Sequence, residues 1–128
     1  MTKDYGKARD ALAPVIEGGK VTDEILFIYA ECLVKTGHLQ EGIARLSALE
    51  EKLPQEEDLR RALGKAYLAS GDWSRAAQEL QAAEKLDGKD AQVHADLASV
   101  YKKMGRQAEA ARETQEYEAL AGAKNGGK

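Results

Sequence analysis

Apolar residues along the chain fall at the spacings of three and four that one face of an amphipathic helix requires. The clearest example is residues 57–90, where two such stripes are separated by Gly71 and Asp72. Glycine adopts the left-handed conformation that ends a helix, and an aspartate side chain accepts hydrogen bonds from the free amides that begin the next helix. Residues 57–90 are therefore predicted to form a helix, a tight turn and a second, antiparallel helix.

The same pattern recurs on both sides of this segment. Gly37, Gly71 and Gly105 follow one another at equal intervals, without an insertion. This register predicts three helical hairpins, preceded by a single helix that ends at a pair of glycines. The predicted units are a half repeat over residues 4–19 and full repeats over residues 23–56, 57–90 and 91–121.

Small residues at Gly64 and Ala76 oppose large ones at Tyr67 and Leu80, which allows two helices to approach closely. Together with the regular register, this pattern resembles the tetratricopeptide repeat (TPR) family. The resemblance covers residues 4–121. It implies an all-α fold, a right-handed superhelical array of antiparallel helix hairpins (a TPR solenoid) with about seven helices. One TPR domain is expected over residues 1–121, followed by a polar, disordered tail over residues 122–128.

Some positions depart from the family pattern. Arg60 and His94 stand where a large apolar residue is commoner, so both sites are expected to be partly open. Thr114 and Tyr117 replace the apolar residues that would cover a following helix, as expected of a terminal repeat. Gly42 stands where alanine is usual, at a cost of about 1 kcal/mol, so its helix is expected to be the weakest of the full-length ones.

The composition agrees with helices whose outer faces are solvated, since 43% of residues are hydrophobic, 5% aromatic and 32% charged. The formal net charge is −3, and acidic and basic residues are interspersed along the chain. The sequence therefore shows no basic patch of the kind that binds nucleic acid. No apolar run approaches the roughly 18 to 20 residues that cross a bilayer, so no membrane insertion is expected. The expected location is the cytoplasm; the single cysteine agrees with it but also with a domain excised from an exported, periplasmic parent protein.

No sequence pattern indicates catalysis, a cofactor or a metal site. His38 lies at a turn and His94 near the start of a helix in another repeat, and neither has a further ligand at metal-site spacing. Cys32 lies among apolar residues, which favours burial over a reactive thiol. Trp73 at a turn could anchor a ligand, but packing across its own hairpin is favoured. The chain is therefore predicted to be non-enzymatic, with no cofactor and no metal.

In TPR arrays the first helix of each repeat lines a concave groove, and the resemblance implies that a peptide or helix of a protein partner binds there. Arg61 and Lys65 lie one helical turn apart, so both cations point the same way. A partner with a hydrophobic anchor and an acidic residue would suit this groove. The alternative interpretation is that Arg61 and Lys65 only pair with Asp58, Glu31 or Asp96. The predicted groove residues are Phe27, Ile28, Glu31, Val34, Lys35, Arg61, Lys65, Leu68, Ser99 and Lys102.

Some TPR relatives grip a C-terminal carboxylate with lysine, asparagine and arginine at set groove positions. Here those positions hold Phe27, Glu31, Ala62, Gln92 and Asp96. Binding of chaperone tails is therefore not implied. Two hypotheses stay open: a protein-interaction module, and a structural or regulatory fragment of a larger protein in which the repeats act as a spacer.

The segment over residues 25–34 is apolar almost all round, with Glu31 as its only charge. Packing within a hairpin does not account for Phe27, Ile28 and Val34, and contiguous apolar surface of this kind usually marks an interface. We expect self-association through the N-terminal helices, residues 5 to 34, or cover by an upstream repeat or a ligand. Shielding by the loop at residues 18–22 is the alternative.

Overall fold

The computed structural model describes residues 4–125, and all the regular structure in that range is helical. The chain divides into two compact units, Met1–Pro54 and Gln55–Lys128. The predicted all-α fold with seven helices is confirmed for residues 4–125. The first unit contains α1 (Tyr5–Glu17), α2 (Asp23–Lys35) and α3 (Leu39–Lys52), and the second contains α4 (Glu57–Ser70), α5 (Trp73–Leu86), α6 (Ala91–Lys103) and α7 (Gln107–Asn125).

The turns repeat with the register of the sequence. Gly37, Gly71 and Gly105 have φ angles of 88°, 85° and 76°, in the left-handed region that glycine tolerates. The amide of the next residue donates to a carbonyl in the last turn of the preceding helix, as Asp72 N does to Tyr67 O at 3.1 Å. Asp72 also accepts a hydrogen bond from Arg75 N at 3.2 Å. The predicted roles of Gly71 and Asp72 at this turn are therefore confirmed.

In the first unit, α2 packs against both α1 and α3. The buried side chains come from α2 and α3, among them Tyr29, Leu33, Leu46 and Leu49, whereas α1 has no buried residue. Pro14 lies inside α1 without ending it. The first unit is thus built around the α2–α3 hairpin, with α1 packed on the outside of α2.

In the second unit, α5 packs against α4 and α6, and α6 packs against α7. Leu80, Val93, Leu97 and Val100 are fully buried in one apolar cluster. A Cβ atom added at Gly64 would lie 2.5 Å from Cγ of Leu80, so the glycine allows α4 and α5 to approach closely. This contact agrees with the small-against-large pattern of the sequence.

Two expectations differ from the structure. His94 is buried, with only 4% of its surface exposed, because its ring is enclosed by polar partners from neighbouring segments. Helix α7 continues to Asn125 instead of ending at residue 121, since the alanines at positions 121 and 123 favour helix. The remainder of the expected tail, residues 126–128, lies outside the described residues. Arg60 is half-buried and its Nη1 lies 3.2 Å from Glu79 Oε1.

Candidate functional site

Arg61, a predicted groove residue, is held in place by acids of its own unit. Its guanidinium donates to Asp58 Oδ1 at 3.2 Å, lies 3.9 Å from Glu57 Oε1 and forms a short hydrogen bond with Asp90 Oδ2. Asp90 caps the N-terminus of α6, where its Oδ1 accepts from Gln92 N at 3.1 Å. Arg61 thus pairs with Asp58, which is the part of the alternative interpretation that concerns Arg61, and Asp90 adds a link from α4 to α6. Arg61 is not a free cation.

The carboxylates around Arg61 carry more negative charge than one arginine neutralises. Burial and the neighbouring Asp90 carboxylate raise the pKa of Glu57 from 4.5 to about 8. Burial opposes ionisation of Asp90 as well, but hydrogen bonds with Glu57 and Arg61 outweigh it and lower the pKa of Asp90. Oε2 of Glu57 is buried and has no hydrogen-bond partner within residues 4–125. We infer that the carboxyl group of Glu57 is protonated where it approaches the carboxylate of Asp90.

Asp96 is a second buried acid on α6, with 8% of its surface exposed. Nε2 of Gln92 donates to its Oδ1 at 2.9 Å, whereas its Oδ2 has no partner in the part of the chain that the structure describes. Burial raises the pKa of Asp96, and the positive charges of Lys65 and Arg61 oppose that rise. Asp96 therefore lies within the electrostatic reach of α4, although no ion pair joins it to Lys65.

The other predicted groove residues of the second unit fall into two groups. Lys65, Ser99 and Lys102 are exposed, and neither lysine takes part in an ion pair within residues 4–125. Leu68 is half-buried and packs against the apolar cluster of this unit. The structure therefore leaves two lysines available on α4 and α6, while Leu68 is used in packing.

The groove residues of the first unit lie on α2. Ile28 is 42% exposed, and Phe27 and Glu31 are half-buried. Nζ of Lys35 lies 6.0 Å from the centre of the Tyr5 ring, so this lysine reaches back to α1.

Val34 needs a correction, because its side chain packs inside the α2–α3 hairpin. A Cβ atom added at Gly42 would lie only 2.6 Å from Cγ2 of Val34. The expectation that hairpin packing leaves Val34 unexplained is therefore wrong, since a β-branched side chain at this position fills the space that Gly42 leaves open.

Away from these faces, a buried histidine lies between two glutamates from other helices. Nδ1 of His94 lies 2.7 Å from Glu113 Oε1 and 3.2 Å from Glu84 Oε2. Its Nε2 lies 2.8 Å from the carbonyl oxygen of Gly88. Burial disfavours the charged ring, but the Gly88 carbonyl and Glu113 outweigh it and raise the pKa of His94. Burial and the Glu113 carboxylate raise the pKa of Glu84.

Residues 64–105 match the sequence model of the TPR repeat family. This segment is similar to tetratricopeptide repeats. The helices of the chain also have the fold of solved TPR solenoid structures over most of their length. MamA AMB-1 is 20% identical with a TM-score of 0.78, over 88% of this chain and 62% of that one. A MamA RS-1 double mutant is 18% identical with a TM-score of 0.87, over 96% and 69%.

YrrB, described as a TPR protein with an unusual peptide-binding site, is 16% identical with a TM-score of 0.82, over 91% of this chain and 60% of that one. At these identities the likeness establishes the fold alone. The chain thus spans between three fifths and about two thirds of the length of these neighbours. No match was found among curated protein sequences. Within residues 4–125 no helix has both the length and the apolar character to cross a bilayer.

The remaining candidate residues have structural roles. Cys32 is buried, and burial raises the pKa of its thiol, which confirms the expected apolar role. Trp73 is half-buried against the apolar cluster of the second unit, with Nζ of Lys103 5.7 Å from its ring centre. His38 caps α3 without a side-chain hydrogen bond to the helix.

No sequence signal indicates the cluster of Glu84, His94 and Glu113. The three residues lie on three different helices, at separations in the sequence that correspond to no metal-ligand motif. The repeat register does relate two of these residues to a polar contact in the preceding repeat. Arg60 and Glu79 stand one repeat before His94 and Glu113 and form an ion pair of their own.

Proposed function

We propose that this chain is a non-enzymatic protein-interaction scaffold that binds a peptide or helix of a partner protein on the faces of α4 and α6, the first helices of two of its repeats. The TPR fold supports the coarse part of this proposal, because such arrays present the first helix of each repeat to a ligand. The solved structure of YrrB is described as having a peptide-binding site. We also propose that the chain acts in the cytoplasm.

The more specific part of the proposal concerns the chemistry of the partner, and it rests on the exposed lysines of α4 and α6. Arg61 is committed to Asp58 and Asp90, whereas Lys65 on α4 and Lys102 on α6 are exposed cations that a ligand can reach. The chemistry they recognise is a carboxylate. We therefore propose a partner segment that combines acidic residues, which face α4 and α6, with apolar residues.

The test is selection of short peptides from a random display library on the wild-type chain, followed by affinity measurement with fluorescence anisotropy. Selected peptides should be rich in Asp and Glu, combined with apolar residues. An exposed charge pair contributes about 0.2–1 kcal/mol, so the double variant Lys65→Ala, Lys102→Ala should bind about two- to thirtyfold more weakly.

The matched control is Lys85→Ala, which removes an exposed lysine from α5, a helix outside the proposed face. Its affinity should equal that of the wild type, and raising the salt concentration should weaken wild-type binding more than binding by the double variant. Equal affinity of the wild type and the Lys65, Lys102 double variant would contradict the proposed site. Failure of the library to yield any binder would contradict peptide binding itself.

A further inference from the structure

We propose that Glu84, His94 and Glu113 form a binding site for a divalent transition-metal ion, and that Zn²⁺ is the ion their ligand atoms suit. One carboxylate oxygen of each glutamate and one ring nitrogen of the histidine all lie within 4.8 Å of one another. The three residues come from α5, α6 and α7, so an ion bound here would join three consecutive helices. Imidazole and carboxylate are both common zinc ligands.

The histidine is oriented as a metal ligand would be. Its Nε2 lies 2.8 Å from the Gly88 carbonyl oxygen, which can only accept, so Nε2 carries a hydrogen and donates. This bond directs Nδ1 toward the two carboxylates. A metal-binding histidine is usually fixed in this way, with its second ring nitrogen bonded to a carbonyl or carboxylate.

The electrostatics require a positive charge between these groups. A neutral ring with a hydrogen on Nε2 would turn the lone pair of Nδ1 toward two carboxylate oxygens, at 2.7 and 3.2 Å. A proton on Nδ1 gives one positive charge against two negative ones, and Glu116 adds a further negative charge that acts on Glu84. A divalent ion would neutralise both ligand carboxylates, and the polar ring would remain as the third ligand.

The neighbouring repeat shows how the same position is neutralised without a metal. Arg60 stands one repeat before His94, and its Nη1 lies 3.2 Å from Oε1 of Glu79, which stands one repeat before Glu113. The arginine brings its own permanent charge to the glutamate. In the next repeat the shorter histidine ring replaces the guanidinium, so the charge must come from a proton or an ion.

The distances fit a tetrahedral site with small adjustments. Zinc bonds of about 2.0–2.1 Å place tetrahedral ligand atoms roughly 3.3 Å apart. Nδ1 of His94 already lies 3.2 Å from Oε2 of Glu84, whereas the 2.7 Å distance to Oε1 of Glu113 must widen. The side chain of Glu84 is 32% exposed, so an ion can enter from solvent and a water molecule can take the fourth position.

The test uses the chain without an affinity tag and with His38→Gln, which removes the other histidine. Zn²⁺ is titrated calorimetrically, and Co²⁺ is used to record the visible absorption of a low-coordinate site. We expect one ion per chain, with binding weakened roughly tenfold or more in both Glu84→Gln and Glu113→Gln. Glu116→Gln is the matched control, because it removes a nearby charge but no ligand, and its affinity should stay close to that of the parent.

The variant His94→Arg separates metal binding from folding. It rebuilds in the last repeat the Arg60–Glu79 type of pair, so it should keep its helical circular dichroism and lose Zn²⁺ binding. Absence of saturable Zn²⁺ binding by the parent would overturn the proposal. Binding that survives Glu84→Gln and Glu113→Gln unchanged, or that Glu116→Gln weakens equally, would overturn it as well. If His94→Arg fails to fold, the two glutamine variants still decide the question.

Discussion

Replacing Gly42 by alanine should destabilise the chain, although helix propensity alone predicts the opposite. Gly42 lies in the first turn of α3, is buried, and forms part of the contact between α2 and α3. Alanine is favoured over glycine within a helix by about 1 kcal/mol. The added methyl group, however, would lie 2.6 Å from Cγ2 of Val34, 3.1 Å from Ala30 O and 3.2 Å from Val34 N.

The contact energy outweighs the propensity. Carbon atoms prefer separations of about 3.5–4.0 Å, and Val34 cannot swing aside freely because a β-branched side chain has one favoured χ1 in a helix. The other two atoms belong to the backbone, so relief requires α2 and α3 to move apart. Overpacking of this kind costs about 1–3 kcal/mol. The net expectation is a loss of about 1 kcal/mol, with a range of about 0–2 kcal/mol.

Gly122→Ala is the matched control for this substitution. Gly122 lies in α7, and a Cβ atom there would have no neighbour within 4 Å, so alanine should stabilise by up to about 1 kcal/mol. Urea unfolding followed by far-ultraviolet circular dichroism measures both variants, and their difference isolates the packing cost. If Gly42→Ala raised stability as much as Gly122→Ala does, the close contact between α2 and α3 would be refuted.

Two further predictions concern charge and apolar surface. The pKa of Glu57 is raised from 4.5 to about 8, so folding favours its protonated form and the free energy of unfolding should fall as the pH rises from about 4.5 to 8. The lowered pKa of Asp90 has its effect in a different range, because the stability it contributes is lost as the pH falls below 3.8. Glu57→Gln should flatten this dependence in urea titrations monitored by the fluorescence of the single tryptophan, whereas Glu56→Gln should leave it unchanged. Light scattering should show that the wild type self-associates, whereas the double variant Phe27→Asp, Ile28→Lys should be monomeric. A wild type that stays monomeric at high concentration would contradict the predicted self-association through residues 5 to 34.

The helices and turns could be predicted because their determinants are local. The apolar spacing predicts each helix, and the left-handed glycines Gly37, Gly71 and Gly105 predict where α2, α4 and α6 end. These three helices also begin at equal intervals along the chain. Residues that pack in the hairpins, such as Cys32, follow from the same periodicity.

The polar contacts could not be predicted, since long side chains meet across helices with no constraint on their separation in sequence. Asp90 lies at the opposite end of the repeat that contains Arg61, and any of the other acidic residues of the chain was a formal candidate for that ion pair. His94 was expected to be partly open because histidine is polar, but Glu113 and the Gly88 carbonyl satisfy both ring nitrogens and allow its burial.

The three repeats differ both at position 42 and at the residue that faces it. Gly42 corresponds to Ala76 and Ala110, and Val34 corresponds to Leu68 and Lys102. The glycine therefore occurs in the repeat whose opposing residue is β-branched.

Leu68 is γ-branched and packs against the cluster that contains Ala76, so a leucine and an alanine are compatible at this helix crossing. The double variant Val34→Leu, Gly42→Ala transfers that pair into the first hairpin. It should recover most of the stability lost in Gly42→Ala, because leucine has a single γ carbon atom and two favoured χ1 rotamers in a helix, so it can turn that atom away from the position of Cγ2 of Val34. The two substitutions should accordingly be non-additive by about 1 kcal/mol in a double-mutant cycle. Additive effects would mean that the alanine at position 42 is opposed by the backbone of α2 and not by the valine side chain.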